Sequence, residues 1–129
     1  MGMKVVNKYN DINNKEIEDI KYKIYAELES LKYNFSYIGT EYMAEIIYIL
    51  YHLDRNYNCD FQNEIYPLLA CKYKTSINNI RSAVAFATEK MFFDCTEEYL
   101  KKYINDYKFK KPGPKKIAFS VIKKINNNT

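Results

Sequence analysis

Glycine and proline are scarce, three of each in 129 residues. With few turn-formers and many periodic apolar positions, helices are expected rather than a meander of short strands. No apolar run approaches the ~20 residues that a bilayer-spanning helix requires, so no membrane segment is expected. Residues Met1 to Asn14 are polar and lack the apolar core of a secretory signal, which points to a cytoplasmic protein. Cysteine is sparse too: Cys59, Cys71 and Cys95 are odd in number and widely spaced. They read as reduced thiols, neither a disulfide framework nor a zinc knuckle. A single histidine, His52, removes most metal-site and histidine-dependent catalytic schemes. There is no glycine-rich phosphate loop, no metal-ligand cluster and no base partner beside any cysteine. Glu97 and Glu98 are adjacent and face different sides of a helix, so they read as helix-start residues rather than an acid–base pair. His52 reads as a surface residue. Neither catalysis, a cofactor, a metal nor a small-molecule substrate is expected.

What is present fits one domain with a sizeable core. The surplus of Lys, Asn, Ile and Tyr matches the codon usage of an AT-rich genome, so the fourteen tyrosines do not by themselves make a base-stacking platform. The net charge of +4 is unevenly spread. Residues 1 to 64 hold seven basic and eleven acidic side chains, and residues 65 to 129 hold thirteen and five. Such asymmetry suggests that one end faces a polyanion. A solvated lysine face accounts for the charge equally well.

The pattern predicts an all-α, single compact six-helix domain over 15–129 behind a polar tail, 1–14. Ile17, Ile20, Ile24, Leu28 and Leu31 form one stripe of a helix over 15–33. Asn34 to Gly39 breaks it, and Thr40 is a candidate cap for a helix to Leu53, with Met43, Ile46, Ile47 and Leu50 inward. Asp54 to Asn58 reads as a loop and Asp60 as the next cap. Pro67 costs about 3 kcal/mol in a helix interior, so the segment 61–73 is either kinked there or split with Pro67 in a first turn. Ser76 or Thr75 caps a long helix to Phe93. Thr96, with Glu97 and Glu98, opens a fifth helix. A basic loop, Lys108 to Lys116, is broken by Pro112, Gly113 and Pro114. A last helix runs from Lys115 to Ile125, before the tail Asn126 to Thr129.

A helix-turn-helix is expected at about 61–93. Such a unit needs a small residue where its helices cross and an aliphatic wedge in the second helix. Ala70 and Ile80 stand ten residues apart, and Tyr73-Lys74-Thr75 is a short connector. In the second helix Ile77, Ile80, Val84, Ala87 and Met91 recur at threes and fours, so that face is buried. The opposite face presents Asn78, Asn79, Arg81, Ser82 and Ala85. Asn and Arg carry paired donors and acceptors that match adenine and guanine edges in a major groove, and the short Ser82 and Ala85 allow close approach. An ordinary amphipathic helix in an all-helical core produces the same pattern.

From Gly39 to Ile125 the chain resembles the C-terminal effector domains of the stage zero sporulation protein A family of response regulators. Three blocks carry the likeness. The first is Gly39-x-x-Tyr42-Met43 with Ile47 and Tyr51. The second is Ile65-Tyr66-Pro67-x-x-Ala70-x-Lys72-Tyr73, running into Thr75, Ala83, Ala87 and Glu89. The third is Lys111-Pro112 with Val121, Lys124 and Ile125. The resemblance implies a six-helix transcription regulator that binds double-stranded DNA, with the helix after Ser76 in the major groove and flanking loops on phosphates. It also implies tandem or dimeric binding on repeated sites. It places Asn78, Asn79, Arg81, Ser82 and Ala85 against bases. On charge as well as analogy, Lys74, Thr75, Ser76, Lys110, Lys111, Lys115 and Lys116 are phosphate candidates.

Two departures accompany the likeness. Family members carry a phosphoacceptor receiver domain, and residues 1 to 33 are too few to be one, so an excised domain or a stand-alone effector is expected. The family's reading face is richer in arginine and includes a glutamate, where this chain has Asn79, Ser82 and Ala85. A bidentate base contact is worth roughly 1–3 kcal/mol of discrimination, so sequence choice should differ from the family's. The second reading is a protein-interaction module that pairs with or antagonises a full-length response regulator. Exposure of Phe86, Phe92, Phe93 or Tyr99 would favour it.

Overall fold

The structure, a computed structural model, describes residues 19–53, 59–104 and 111–127. The expected tail 1–14, Ile17, the loop 54–58 and Lys108 to Lys110 lie outside the described residues. Among the described residues every regular element is helical, as the pattern predicts.

The first helix, α1, spans residues 19–30. Ile20, Ile24, Leu28 and Leu31 are buried on its expected face. It stops short of the expected residue 33 for a backbone reason. Tyr33 N–H donates to the Leu28 carbonyl and Lys32 N–H to the Glu29 carbonyl, with Lys32 at φ 75°. This is a Schellman ending, whose left-handed residue is usually glycine. A lysine occupies the position here, so the residue types carry no stop signal.

The second helix, α2, spans Ile38–Leu53 and begins before the expected Thr40. Asn34 organises its entry. The side-chain carbonyl accepts from the Ser36 N–H at 2.9 Å and the Ser36 hydroxyl at 2.7 Å. Its backbone carbonyl takes the Thr40 hydroxyl at 2.6 Å. Thr40 is therefore not the cap. It sits fully buried inside the first turn, with its hydroxyl satisfied by Asn34.

The Pro67 segment splits. Asp60 caps its start, accepting from the N–H groups of Gln62 (3.0 Å) and Asn63 (3.3 Å), while Glu64 reaches back to the Asp60 N–H at 2.6 Å. A π-helical turn, Phe61–Ile65, then runs into α3, Tyr66–Lys72, with Pro67 in the first turn of α3. Proline offers no N–H to the carbonyl four residues back and its ring crowds that carbonyl. The wider π turn makes room for it.

Ser76 caps α4 (Ile77–Asp94), Thr96 caps α5 (Glu97–Tyr103), and α6 runs Pro114–Asn127. The last helix thus continues past the expected Ile125, through Asn126 and Asn127. Ile117, Ala118, Val121 and Ile125 are its buried stripe. Tyr103 on α5 donates to Glu27 on α1 at 2.5 Å, and Tyr99 bonds Ser30.

Helix α2 is the centre of the packing, touching α3, α4 and α6. It packs most extensively against α4. A Cβ at Gly39 would overlap the Ala83 carbonyl oxygen and come within 2.9 Å of the Ala87 Cβ. Nearby, the buried hydroxyls of Tyr33 and Thr88 pair at 2.8 Å. Burial holds the Tyr33 phenol well above the usual tyrosine range, so it remains a neutral partner.

Gly39→Ala forces these two backbones apart. Overpacking of this kind costs about 1–3 kcal/mol, which should lower Tm by roughly 3–10 °C in a thermal melt. Gly113→Ala, where a Cβ meets nothing within 4 Å, should leave Tm unchanged.

Candidate nucleic-acid interface

The chain reverses between α3 and α4 over four residues, Tyr73 to Ser76. Thr75 N–H donates to the Ala70 carbonyl at 3.0 Å and Lys74 N–H to the Cys71 carbonyl at 3.4 Å. Lys74 stands at φ 54°, so this too is a Schellman ending closed by a lysine. Ser76 is extended and its hydroxyl oxygen accepts from the Asn79 N–H at 3.0 Å. The two caps fix how α4 leaves the turn. Ala70 is half-buried, Ile80 is fully buried, and α3 packs on α4.

Ile80, Val84, Ala87 and Met91 are buried on the inner side of α4, and Ile77 is half-buried. Asn78, Asn79, Arg81, Ser82 and Ala85 are all exposed. Their hydrogen bonds divide them. Arg81 donates from Nη2 to the Asn78 Oδ1 at 2.8 Å, so these two form one outward unit. Asn79 donates from Nδ2 to the Thr75 hydroxyl at 2.9 Å, tying helix to turn. Arg81 also lies near the Tyr66 phenol, which burial raises and the guanidinium partly lowers. One turn beyond Ala85 the same side carries the exposed Glu89. A carboxylate there opposes phosphate, so the surface suited to a nucleic acid ends near Ala85.

The phosphate candidates do not form one cluster. Lys74, Thr75 and Ser76 stand together at the start of α4, and Lys74 has no ion-pair partner among the described residues. Lys111 is at the other end of that helix, its ammonium 5.3 Å from the Phe92 ring and 5.9 Å from the Phe93 ring. Fifteen residues of α4 separate Asn78 from Phe93, roughly 22 Å along the axis. Lys115 and Lys116 are half-buried in the first turn of α6. Hydrogen bonds from Asn63 are the main cause of the lowered Asp60 pKa, and Lys115 adds to them, so that lysine lies close to a carboxylate. Lys110 lies outside the described residues.

Two features escape a reading of residue types. Lys72, a cation beside the turn, is neutralised by Glu45 of α2 at 2.6 Å. The left-handed backbone of Lys74 has no signature in composition, because glycine is the usual marker. Elsewhere, Glu97 and Glu98 each pair with the lysine one turn on, Lys101 at 3.5 Å and Lys102 at 3.7 Å. His52 is exposed, and its ring meets that of Tyr48 at a tilt, with centroids 4.4 Å apart. Cys59 and Cys95 are buried, Cys71 is exposed, and none of the three is in a disulfide. Among the described residues no three of His, Cys, Asp and Glu come together as a metal would require. No described helix is long and apolar enough to cross a membrane.

Compared with protein-family models, with curated proteins and with solved structures, the chain matches none.

The strain at Lys74 separates conformation from charge. A left-handed L-residue costs about 1–2 kcal/mol and glycine's extra chain entropy about 0.5–1, so Lys74→Gly should hold or raise stability by up to ~1 kcal/mol while removing the cation. Urea unfolding of Lys74→Gly beside Lys74→Ala checks this, with the alanine variant no more stable than the parent.

Proposed function

We propose that this chain binds double-stranded DNA through α3, the lysine-closed turn and α4, and acts as a transcription regulator in the cytoplasm. The reading follows the sporulation effector domains that the sequence resembles. One observation carries it: the outward side of the first three turns of α4 is free of the protein's own packing and presents the Asn78–Arg81 unit beside Lys74, Thr75 and Ser76.

Each part has a physical role. The first turn of α4 leaves backbone N–H groups unpaired, and its dipole favours an anion. A phosphate there would also take a hydrogen bond from the Thr75 or Ser76 hydroxyl and the charge of Lys74. With its Oδ1 holding Arg81, Asn78 keeps its amide donors, and Arg81 keeps N–H groups for the acceptor pair of guanine. Ser82 and Ala85 let the helix sit deep. Asn79 serves the turn more than the groove. Lys115 and Lys116 on α6 are phosphate contacts of the same proposal, and tandem or dimeric binding on repeated sites belongs with it.

A second reading, partner binding without DNA, is favoured by the exposure of Phe86, Phe93 and Tyr99. Selection from a random duplex pool in moderate salt separates the two. Enrichment of a short motif supports the regulator, and a pool that stays random overturns it. Arg81→Ala should then cost about 1–3 kcal/mol at its cognate base and relax preference there. Lys74→Gly should weaken all duplexes alike and flatten the plot of log affinity against log salt by about 1.

A further inference from the structure

Asparagine usually reads adenine, because its amide offers an acceptor for the N6 amino group and a donor for N7 together. Asn78 has lost one member of that pair. A guanidinium only donates, so the atom 2.8 Å from the Arg81 Nη2 is the amide oxygen of Asn78, Oδ1. The second lone pair of that oxygen lies beside a cation, whose charge and bulk oppose an incoming amino group. Asn78 therefore has its Nδ2 donors left for a base. Asn79 does not replace the missing acceptor, since its own amide is bonded to the Thr75 hydroxyl at 2.9 Å and held on the turn.

The rest of this side of α4 is equally short of acceptors. Residues 74–88 contain no Asp or Glu, and Glu89 is the first carboxylate along it. Among the described residues Arg81 has no carboxylate partner, so its remaining N–H groups are not spent within the protein. Resting on the DNA-binding reading above, we infer that α4 selects a two-base step that presents acceptors only. Guanine meets Arg81, and the neighbouring base at Asn78 is guanine or thymine, with adenine and cytosine refused there.

Spacing makes the two bases neighbours. Asn78 and Arg81 stand three residues apart, about 4.5 Å along the helix axis, close to the spacing of about 3.4 Å between stacked bases. Bond strength decides which base Asn78 takes. To read adenine it would have to release Arg81, exchanging a charge-assisted bond for neutral ones that are roughly half as strong. Guanine offers O6 and N7 to the Nδ2 donors, and thymine offers O4, with the Arg81 bond intact. Adenine would set its N6–H against donors, and cytosine its N4–H. A donor left facing donors costs more than a missing bond would have contributed.

The test uses the full chain and duplexes carrying the motif enriched from the random pool, with each position changed in turn to the other three base pairs. At one position guanine should bind roughly 10-fold tighter than any other base. At its neighbour guanine or thymine should bind roughly 10-fold tighter than adenine or cytosine. Arg81→Ala frees Oδ1, so the first position should lose its preference while the neighbour switches to adenine. Asn78→Asp keeps an oxygen for Arg81 but removes the donors, so the first position should keep guanine while the neighbour switches to cytosine. A merely structural role would weaken all duplexes alike and move neither preference. Both side chains are exposed, and a parent-like Tm reports that each variant is folded. A parent that requires adenine beside the guanine, or a neighbour preference unchanged in both variants, overturns the inference and leaves the DNA-binding reading standing. A pool that yields no motif removes that reading and the inference with it.

Discussion

The contact on which the structure most depends is backbone against backbone, where α2 crosses α4. At Gly39 no side chain intervenes, and the facing residues of α4, Ala83 and Ala87, are small and one turn apart. Interiors are packed densely enough that one added methylene is felt, so this crossing sets the separation of the two helices. Because α2 also touches α3 and α6, the crossing holds the rest of the core in register. The Tyr33–Thr88 hydroxyl pair ties the loop after α1 to the same stretch of α4. One side of α4 is thereby committed to the core, and the side carrying Asn78, Arg81, Ser82 and Ala85 is left to solvent.

Along that free side α4 changes character. Its beginning is polar and close to a strained turn, with Asn79 and Ser76 binding the helix to Thr75 and to itself. Glu89 marks a boundary, and about a quarter turn around the helix, one before and one after it in the chain, stand the exposed rings of Phe86 and Phe93 with Lys90 over both. A single 18-residue helix thus carries two chemically distinct surfaces, because its inward stripe uses only one side of the cylinder.

Electrostatics redistributes what the composition counts. The acidic first half of the chain does not stay apart from the basic second half. Glu45 of α2 reaches Lys72 beside the turn, and Asp60 lies near Lys115 of α6. The +8 balance of residues 65–129 is therefore weaker at the turn than a count suggests. What remains there is a small set of positioned groups, Lys74 and Arg81 with the hydroxyls of Thr75 and Ser76. Such an arrangement favours local geometry over a broad positive field, whose reach in any case is about 10 Å at moderate salt.

The six helices of the described residues, the caps Asp60, Ser76 and Thr96, the buried stripes and the exposed positions on α4 were legible in the sequence, because each is governed by neighbours within a turn or two. Thr40 misled, since a threonine buried within a helix and a threonine capping one look alike until Asn34 is placed. The end of α1 was illegible for a related reason: Lys32 stands where glycine normally signals a left-handed residue, and Lys74 hides the same conformation in a turn whose place was legible. Pro67 announced a break, but only the surrounding core decided that it would be a π turn followed by α3. The sequence by itself determined which residues are helical and which side of each helix is apolar, through spacing and local hydrogen bonding. Which cations stay unpaired, which phenylalanines stay uncovered and how near two backbones come were decided only by the tertiary structure, because each depends on groups far apart in the chain meeting in space.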